Sequence, residues 1–380
     1  MTKLISFFAF WLAAAFAPQP TNSPSTQNQK NAAPKIQVAL LLDTSGSMDG
    51  LIEQAKSQLW KMVNELATSK RDGKVPDIEI ALYEYGKDDY SAASGHIKQL
   101  VPLTTDLDLV SEQLFKLKTN GGSEFCGWAI KDAAKDLKWS KSNDDLKIII
   151  IAGNEPFTQG TVDYKNSCKT AITDGIIVNT IFCGDCQMGI NTMWKDGADR
   201  ADGKYMCINH NEAVVHVATP FDNEIIKLNN ELNKTYIAYG SKGMEKKERQ
   251  AVQDANAAVY SQANVAERAV SKSSKAYKND DWDAVDAFKE NEQELSKLKD
   301  EELPAEMKGM NTAQRKDFID KKAKEREALQ SNIREVNEKR EKYIADERKK
   351  QSGESKNTLD EAMLGAVREQ ATKKNYKFEK

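Results

Sequence analysis

The chain has 380 residues, more than one ordinary domain needs, and this length predicts two structural units. Its 55 lysines and arginines nearly balance its 58 aspartates and glutamates, so the formal net charge is -3. A chain without an excess of positive charge has no overall attraction to phosphate backbones. Nucleic acid is therefore not expected as a partner.

The N-terminal residues have the pattern of an export signal. Lys3 is followed by the apolar run of residues 4–17, LISFFAFWLAAAFA, which is shorter than the roughly twenty residues that a membrane-spanning helix needs. We predict a signal peptide at residues 1–17 and an exported protein of the periplasm, the cell surface or the extracellular space. The alternative is an uncleaved anchor. Residues 18–35 are rich in Pro, Ser, Thr, Asn and Gln, which predicts a flexible linker. No other run is apolar for long enough to span a bilayer, so the mature chain is expected to lack a transmembrane segment.

Residues 36–240 alternate between strand-like and helix-like segments. Apolar runs predict strands at residues 38–42, 78–83, 147–151 and 176–182, and helical periodicity predicts helices at residues 51–66, 106–117, 125–137 and 222–232. Continuous apolar runs are typical of central strands in a parallel sheet. We therefore predict an α/β domain with a doubly wound, mostly parallel, Rossmann-like sheet covered by helices on both faces.

Residues 241–380 differ sharply in composition, with dense Lys, Glu, Asp and Gln, and they are predicted to be entirely helical. A narrow apolar seam at steps near three and four suggests an antiparallel hairpin or a partly coiled-coil region. The seam contains Ile319, Leu329, Ile333, Val336 and Tyr343. Basic residues, Lys322, Arg326 and Arg340, interrupt it, so we expect packing within the chain rather than a homodimeric zipper.

All five cysteines lie between Cys126 and Cys207, which in an exported protein predicts disulfides with one thiol left over. Their spacing does not decide the pairing. One alternative is a tetrahedral zinc site formed by Cys183, Cys186, Cys207 and His210. A redox role for Cys183 and Cys186 is a further alternative, although redox CxxC motifs usually stand at a helix N-terminus and this one follows a strand.

The strongest chemical motif is Asp43-Thr44-Ser45-Gly46-Ser47, directly after the first predicted strand. Ligands of open parallel sheets gather at the carboxyl ends of the strands, where these oxygen-bearing side chains are expected to converge. Two hydroxyls and a carboxylate suit a hard cation such as Mg²⁺ and leave a coordination position open. The alternative is an ordinary turn in which the Asp and Ser oxygens cap the following helix.

The DTSGS sequence after VALLL resembles the DxSxS signature of the von Willebrand factor A family and its metal-ion-dependent adhesion site. The resemblance implies that the hydroxyls of Ser45 and Ser47 contact the metal and that Asp43 acts largely through water. It also assigns to Ser123, in the sequence NGGS, the role that a threonine has in the family's second loop.

The third loop of the site departs from the family pattern, because Gly153 stands where the family has an aspartate. Asn154 and Glu155 remain as candidate ligands, and Glu124 is a neighbour by sequence. A site with less fixed negative charge is expected to hold its metal more weakly and to favour an anionic partner group. AGNEPFTQG, VNTIFCG and LNKTYIAYG also resemble a subgroup of exported bacterial proteins with such a domain and a helical tail.

We do not expect an enzyme. The chain has three histidines, none beside a candidate nucleophile in a recognised arrangement, and it lacks Walker A, GxGxxG and HExxH motifs. The leading hypothesis is a protein-binding module in which Mg²⁺, or else Mn²⁺ or Ca²⁺, accepts a carboxylate from a protein partner. The alternative is a metal-independent periplasmic or cell-surface scaffold that acts through its helical region.

Overall fold

The computed structural model describes residues 33–211, 216–290, 300–350 and 359–378. The predicted signal peptide and nearly all of the predicted linker lie outside the described residues. Within the described ranges, no helix is both long enough and apolar enough to cross a membrane.

A six-stranded sheet forms the centre of the fold, in the order β4-β3-β1-β5-β6-β7. The strands are β1 Lys35–Asp43, β2 Ser69–Lys70, β3 Asp77–Tyr85, β4 Ile97–Thr104, β5 Leu146–Gly153, β6 Ile177–Cys183, β7 Tyr205–Ile208 and β8 Lys377–Phe378. Only the edge strand β4 runs antiparallel to its neighbour within the sheet. The short strands β2 and β8 form a separate antiparallel pair. The predicted mostly parallel sheet is confirmed.

The helices are α1 Asp49–Ala67, α2 Leu107–Lys116, α3 Cys126–Asp136, α4 Tyr164–Thr173, α5 Cys186–Asn191, α6 Trp194–Asp199, α7 Asp222–Asn233, α8 Gly243–Tyr260, α9 Gln262–Ser273, α10 Ala284–Glu290, α11 Thr312–Lys350 and α12 Leu359–Lys373. The four predicted helices correspond to α1, α2, α3 and α7, and the four predicted strands to β1, β3, β5 and β6, so their existence and type are confirmed.

The apolar run of β5 is buried on both faces of the sheet. Ile148 and Ile150 belong to one core, with α1, α2 and the helices that follow residue 240, whereas Ile149 and Ile151 belong to the other core, with α3, α4 and α6. Because successive side chains of a strand point to opposite faces, a strand covered on both sides must be apolar at every position. This is why the sequence reads IIII and does not alternate.

The helices after residue 240 pack directly on the α/β part, and residues 34–380 form one compact unit. Asn264 on α9 donates a hydrogen bond to the carbonyl of Ser57 on α1 (2.6 Å). The amide side chains of Gln370 on α12 and Asn179 on β6 hydrogen-bond to each other in both directions, at 2.7 and 2.9 Å. The helical region therefore supplies part of the cover of one sheet face.

The apolar seam predicted for the helical region lies on α11, where Ile333 and Val336 are buried. Instead of one long partner helix, α11 contacts α7, α9 and α10 in the described part of the chain. Arg326 and Arg340 do not interrupt this packing, because both are buried. Arg340 is bound by Asp222 at 2.8 Å, and Arg326 by Asp283 at 2.5 Å.

Candidate functional site

The loop after β1 is held in place by backbone hydrogen bonds to its neighbours. The amide of Thr44 donates to the carbonyl of Tyr85 at the end of β3 (2.9 Å), and the carbonyl of Thr44 accepts from the amide of Asn120 (2.8 Å). The amide of Gly46 donates to the carbonyl of Gly121 (3.0 Å). The first two loops of the predicted site are thus joined by their main chains at the carboxyl edge of the sheet.

Four of the six predicted ligands lie together at this edge. The Oγ atoms of Ser45 and Ser47 are 3.5 Å apart, and Nδ2 of Asn154 donates to Oγ of Ser47 (3.1 Å). Oδ1 of Asp43 accepts from the amide of Ser45 (2.7 Å). This last bond closes a local turn of the Asx type, which brings the serine hydroxyls together. The alternative, a cap on the following helix, is not found, because α1 begins at Asp49 and the preceding Met48 makes no side-chain cap hydrogen bond.

Ser123 and Glu155 lie at the border of this group. Ser123 is half-buried and forms an isolated antiparallel bridge with Gly86, which fixes the backbone just before Glu124. The amide of Glu155 donates to Oε2 of Glu124 (3.2 Å), and the carbonyl of Glu155 accepts from Nε1 of Trp194 (2.8 Å). Both contacts are made by the main chain of Glu155, and the first of them helps to hold the carboxylate of Glu124 in place.

Glu124 is the central residue that was not among the predicted ligands. It is only 2% exposed and lies beside the fully buried Asp43. Burial, followed by the neighbouring Glu124 carboxyl, raises the pKa of Asp43 well above its ordinary value. Burial is also the main cause that raises the pKa of Glu124. Its position directly after NGGS is the only signal in the sequence, and spacing does not reveal which way that side chain turns.

Two glycines make room for this pair of carboxyl groups. Gly86 has a positive φ of 84°, and a Cβ atom there would lie 2.9 Å from both Oδ1 of Asp43 and Cγ of Glu124. A Cβ atom on Gly153 would lie 2.5 Å from the hydroxyl of Tyr85 and 3.1 Å from Oδ2 of Asp43. A side chain at position 153 therefore does not fit this backbone. Glu124 places a second carboxyl group beside Asp43, so the site contains two acidic residues although position 153 is glycine.

The donor set fits a hard divalent cation. Asp43 and Glu124 offer carboxylate oxygens, Ser45 and Ser47 offer hydroxyls, and Asn154 offers an amide oxygen, all ligand types that Mg²⁺ and Ca²⁺ accept. Oδ2 of Asp43 and Oδ1 of Asn154 are buried without a hydrogen-bond partner. No group of three or more His, Cys, Asp or Glu residues at ligand spacing occurs in the described ranges. Any cation here would thus depend on the hydroxyl and amide oxygens as well.

The structure contains one disulfide, Cys186–Cys207. The prediction of a single leftover thiol implied two disulfides and is therefore wrong. Cys126, Cys168 and Cys183 are buried free thiols. The disulfide consumes two of the four residues of the alternative zinc site, which is therefore wrong. Burial raises the pKa of the Cys183 thiol well above its ordinary value, and this disfavours the reactive thiolate that a redox role needs.

The family model of the von Willebrand factor type A domain matches residues 37–201. Among curated proteins, the chain has no match. Solved structures with a similar fold include conserved hypothetical protein BatB from Bacteroides thetaiotaomicron, at 15% identity and a TM-score of 0.35 over 46% of this chain and 90% of that one.

Two further structures show the same level of likeness. A von Willebrand factor type A protein from Catenulispora acidiphila has 17% identity and a TM-score of 0.34 over 47% of this chain and 39% of that one. Proximal thread matrix protein 1 from the mussel byssus, with a zinc-occupied MIDAS motif, has 10% identity and a TM-score of 0.34 over 46% of this chain and 42% of that one.

Proposed function

We propose that the von Willebrand factor type A domain formed by residues 37–201 binds a protein partner through a divalent cation, in an exported protein that is not an enzyme. Domains of this type generally mediate protein–protein interaction. The cation dependence, the export and the absence of catalysis belong to the proposal.

The observation that carries the proposal is the buried pair of carboxyl groups, Asp43 and Glu124. Both pKa values are raised, which is the behaviour of carboxyl groups that are removed from water without sufficient positive charge nearby. An ionised carboxylate is costly to bury unless it is paired or coordinates a metal. A divalent cation among these oxygens would satisfy both carboxylates and the unpartnered Oδ2 atom of Asp43.

The residues that would hold the cation are Asp43, Ser45, Ser47, Glu124 and Asn154. When bound, a hard cation such as Mg²⁺, or else Mn²⁺ or Ca²⁺, supplies a concentrated positive charge that a carboxylate of the partner can approach at an open position. The main-chain bonds between the loop after β1 and the loop at residues 120–124 hold the hydroxyls in place before the partner arrives. Such preorganisation lowers the entropic cost of binding.

Isothermal titration calorimetry with MgCl₂ and MnCl₂ tests the proposal. We expect one cation per chain, and we expect Glu124→Gln and Ser45→Ala to weaken its affinity by about tenfold or more. Ser111→Ala is the matched control, because Ser111 is a fully buried serine of α2 that hydrogen-bonds to Gln253. Absence of binding to the wild-type chain, or equal affinities in wild type and both site variants, would refute the proposal.

A further inference from the structure

Exposed and half-exposed carboxylates lie on the loops at the carboxyl edge of the sheet, the edge that also carries the candidate centre. We call them the acidic rim, which consists of Asp49, Asp88, Asp89, Glu155 and Asp185. Asp49 accepts a hydrogen bond from the hydroxyl of Thr119, and Oδ1 of Asp89 accepts one from Nδ2 of Asn120 (3.4 Å). Oδ1 of Asp185, after β6, caps α5 by accepting from an amide (2.9 Å).

The rim leaves this edge of the sheet strongly negative. The loops at residues 43–49, 86–90, 117–125, 153–155 and 184–193 together contain seven acidic residues and two basic residues, Lys87 and Lys118. Lys87 is already engaged, because its Nζ lies 3.6 Å from carboxylate oxygens of Glu84 and Asp89. Two of the seven acidic residues, Asp43 and Glu124, would balance the charge of a bound dication. The five rim carboxylates would then face the partner with only Lys87 and Lys118 on these loops to offset them.

A partner carboxylate that came alone would be repelled by this surface. Charges within a Debye length, about 8 Å at physiological ionic strength, interact before salt screens them. Like charges placed face to face across an interface oppose binding, whereas complementary charges steer the encounter. The buried Oδ2 atom of Asp43 has no hydrogen-bond partner, which is why the cation is expected beside Asp43 and not among the exposed carboxylates of the rim.

We propose that the partner is a protein whose contact segment is basic, with one carboxylate flanked by lysine or arginine. The carboxylate would approach the cation, and the flanking basic side chains would pair with the acidic rim. This inference rests on the proposed function, since it requires the cation, and it adds the charge of the partner, which the motif alone did not specify.

Fluorescent peptides with blocked termini test this inference by anisotropy in the presence of Mg²⁺. The first probe carries one glutamate flanked by lysines on both sides, and the second carries the same glutamate flanked by serines. A third replaces the glutamate of the first by glutamine. We expect the lysine-flanked glutamate peptide to bind about tenfold more tightly than the serine-flanked one at low salt, and this advantage to shrink as salt is raised.

The protein variants separate the rim from the rest of the surface. Asp49→Asn/Asp88→Asn/Asp185→Asn removes three rim charges with nearly isosteric side chains. The matched control is Asp72→Asn/Asp144→Asn/Asp202→Asn, which removes three exposed charges before the N-terminal ends of β3, β5 and β7, at the opposite edge. We expect only the rim variant to lose most of the preference for lysine flanks, while calorimetry still detects the cation.

The outcomes are distinguishable. Equal affinity for lysine-flanked and serine-flanked peptides, or an unchanged preference in the rim variant, overturns the basic-partner proposal while leaving the cation site intact. It is also overturned if the glutamine peptide binds as well as its glutamate counterpart, since the surface then attracts polycations without using the centre. If no peptide binds although Mn²⁺ does, the basic partner is again rejected. Absence of cation binding refutes the proposed function itself.

Discussion

Asp254 on α8 is expected to be one of the most costly residues to replace, although it lies outside the candidate site. Its carboxylate binds Nε of Arg268 (2.5 Å) and Nζ of Lys272 (3.0 Å), two cations of α9 that are fully buried. Burial acts to raise the pKa of Asp254, but Lys272 and Arg268 outweigh it and lower this pKa far below its ordinary value. Arg268 also binds Asp108 on α2 (2.7 Å).

Replacement of one partner in a buried ion pair leaves the other charge without compensation, at a cost of about 3–5 kcal/mol. We therefore expect Asp254→Asn to lower the free energy of unfolding by about this amount. Arg268 retains Asp108, so most of the loss should come from Lys272, and the double variant Asp254→Asn/Lys272→Met should recover part of it. Replacing a complete pair by apolar groups is often nearly neutral, which is why recovery is expected.

The pH dependence follows from Lys272. Burial is the main cause that lowers the pKa of Lys272 from 10.5 to about 8 in the folded chain. Between pH 8 and 10.5 the unfolded chain therefore keeps a proton that the folded chain has lost, so this group adds stability as pH rises. The increase in the free energy of unfolding that this group contributes amounts to about 3 kcal/mol at most. We expect the stability of the wild type relative to Lys272→Met to increase across this window.

Urea unfolding followed by tryptophan fluorescence measures both effects. Lys234→Met is a matched control, because the Lys234–Glu231 pair is exposed and contributes little. The reasoning is refuted if the free energy of unfolding of Asp254→Asn lies within about 1 kcal/mol of the wild-type value. It is also refuted if the double variant Asp254→Asn/Lys272→Met is less stable than Asp254→Asn alone.

Three other changes give further tests. Gly153→Ala is expected to destabilise the chain by about 1–3 kcal/mol and to weaken cation binding, because the added methyl meets the Tyr85 hydroxyl; unchanged calorimetry and melting would contradict this. Cys186→Ser opens a bridge between residues 21 apart and should cost about 3 kcal/mol, an effect that reduction of the wild type should reproduce in urea titrations. A chain ending at Gly240 lacks α9 and α12, which cover α1, and should show no cooperative melting by circular dichroism; a sharp transition would count against the packing described here.

Much of the α/β part could be predicted because its signals are local. The apolar run of β5 and the helical period of α1 report burial that any cover of those faces would require, whichever helices provide it. The packing of the helical region was harder to predict from the sequence. Its seam on α11 was identified, but Arg326 and Arg340 were expected to interrupt it. That expectation was wrong, because the carboxylates that pair with the two arginines are distant in sequence and no local pattern reveals them.

In the candidate site, too, the residues of one local motif could be predicted and a residue from a distant loop could not. Asp43, Ser45 and Ser47 stand in one short motif after a buried strand, so their approach to one another follows from the local turn. Glu124 joins them from another loop, and the lack of a side chain at Gly86, on a further loop, leaves the space that Glu124 occupies.

The sequence by itself determined four strands and four helices of the α/β part and their order, the motif after β1 and the apolar faces, since each depends on residues a few positions apart. Only the tertiary structure decided which carboxylates share the centre, how Cys186 and Cys207 pair, and which side chains neutralise the buried arginines. These contacts join residues far apart in the chain. They are set by how the helices pack on the sheet, and a local pattern carries no record of that.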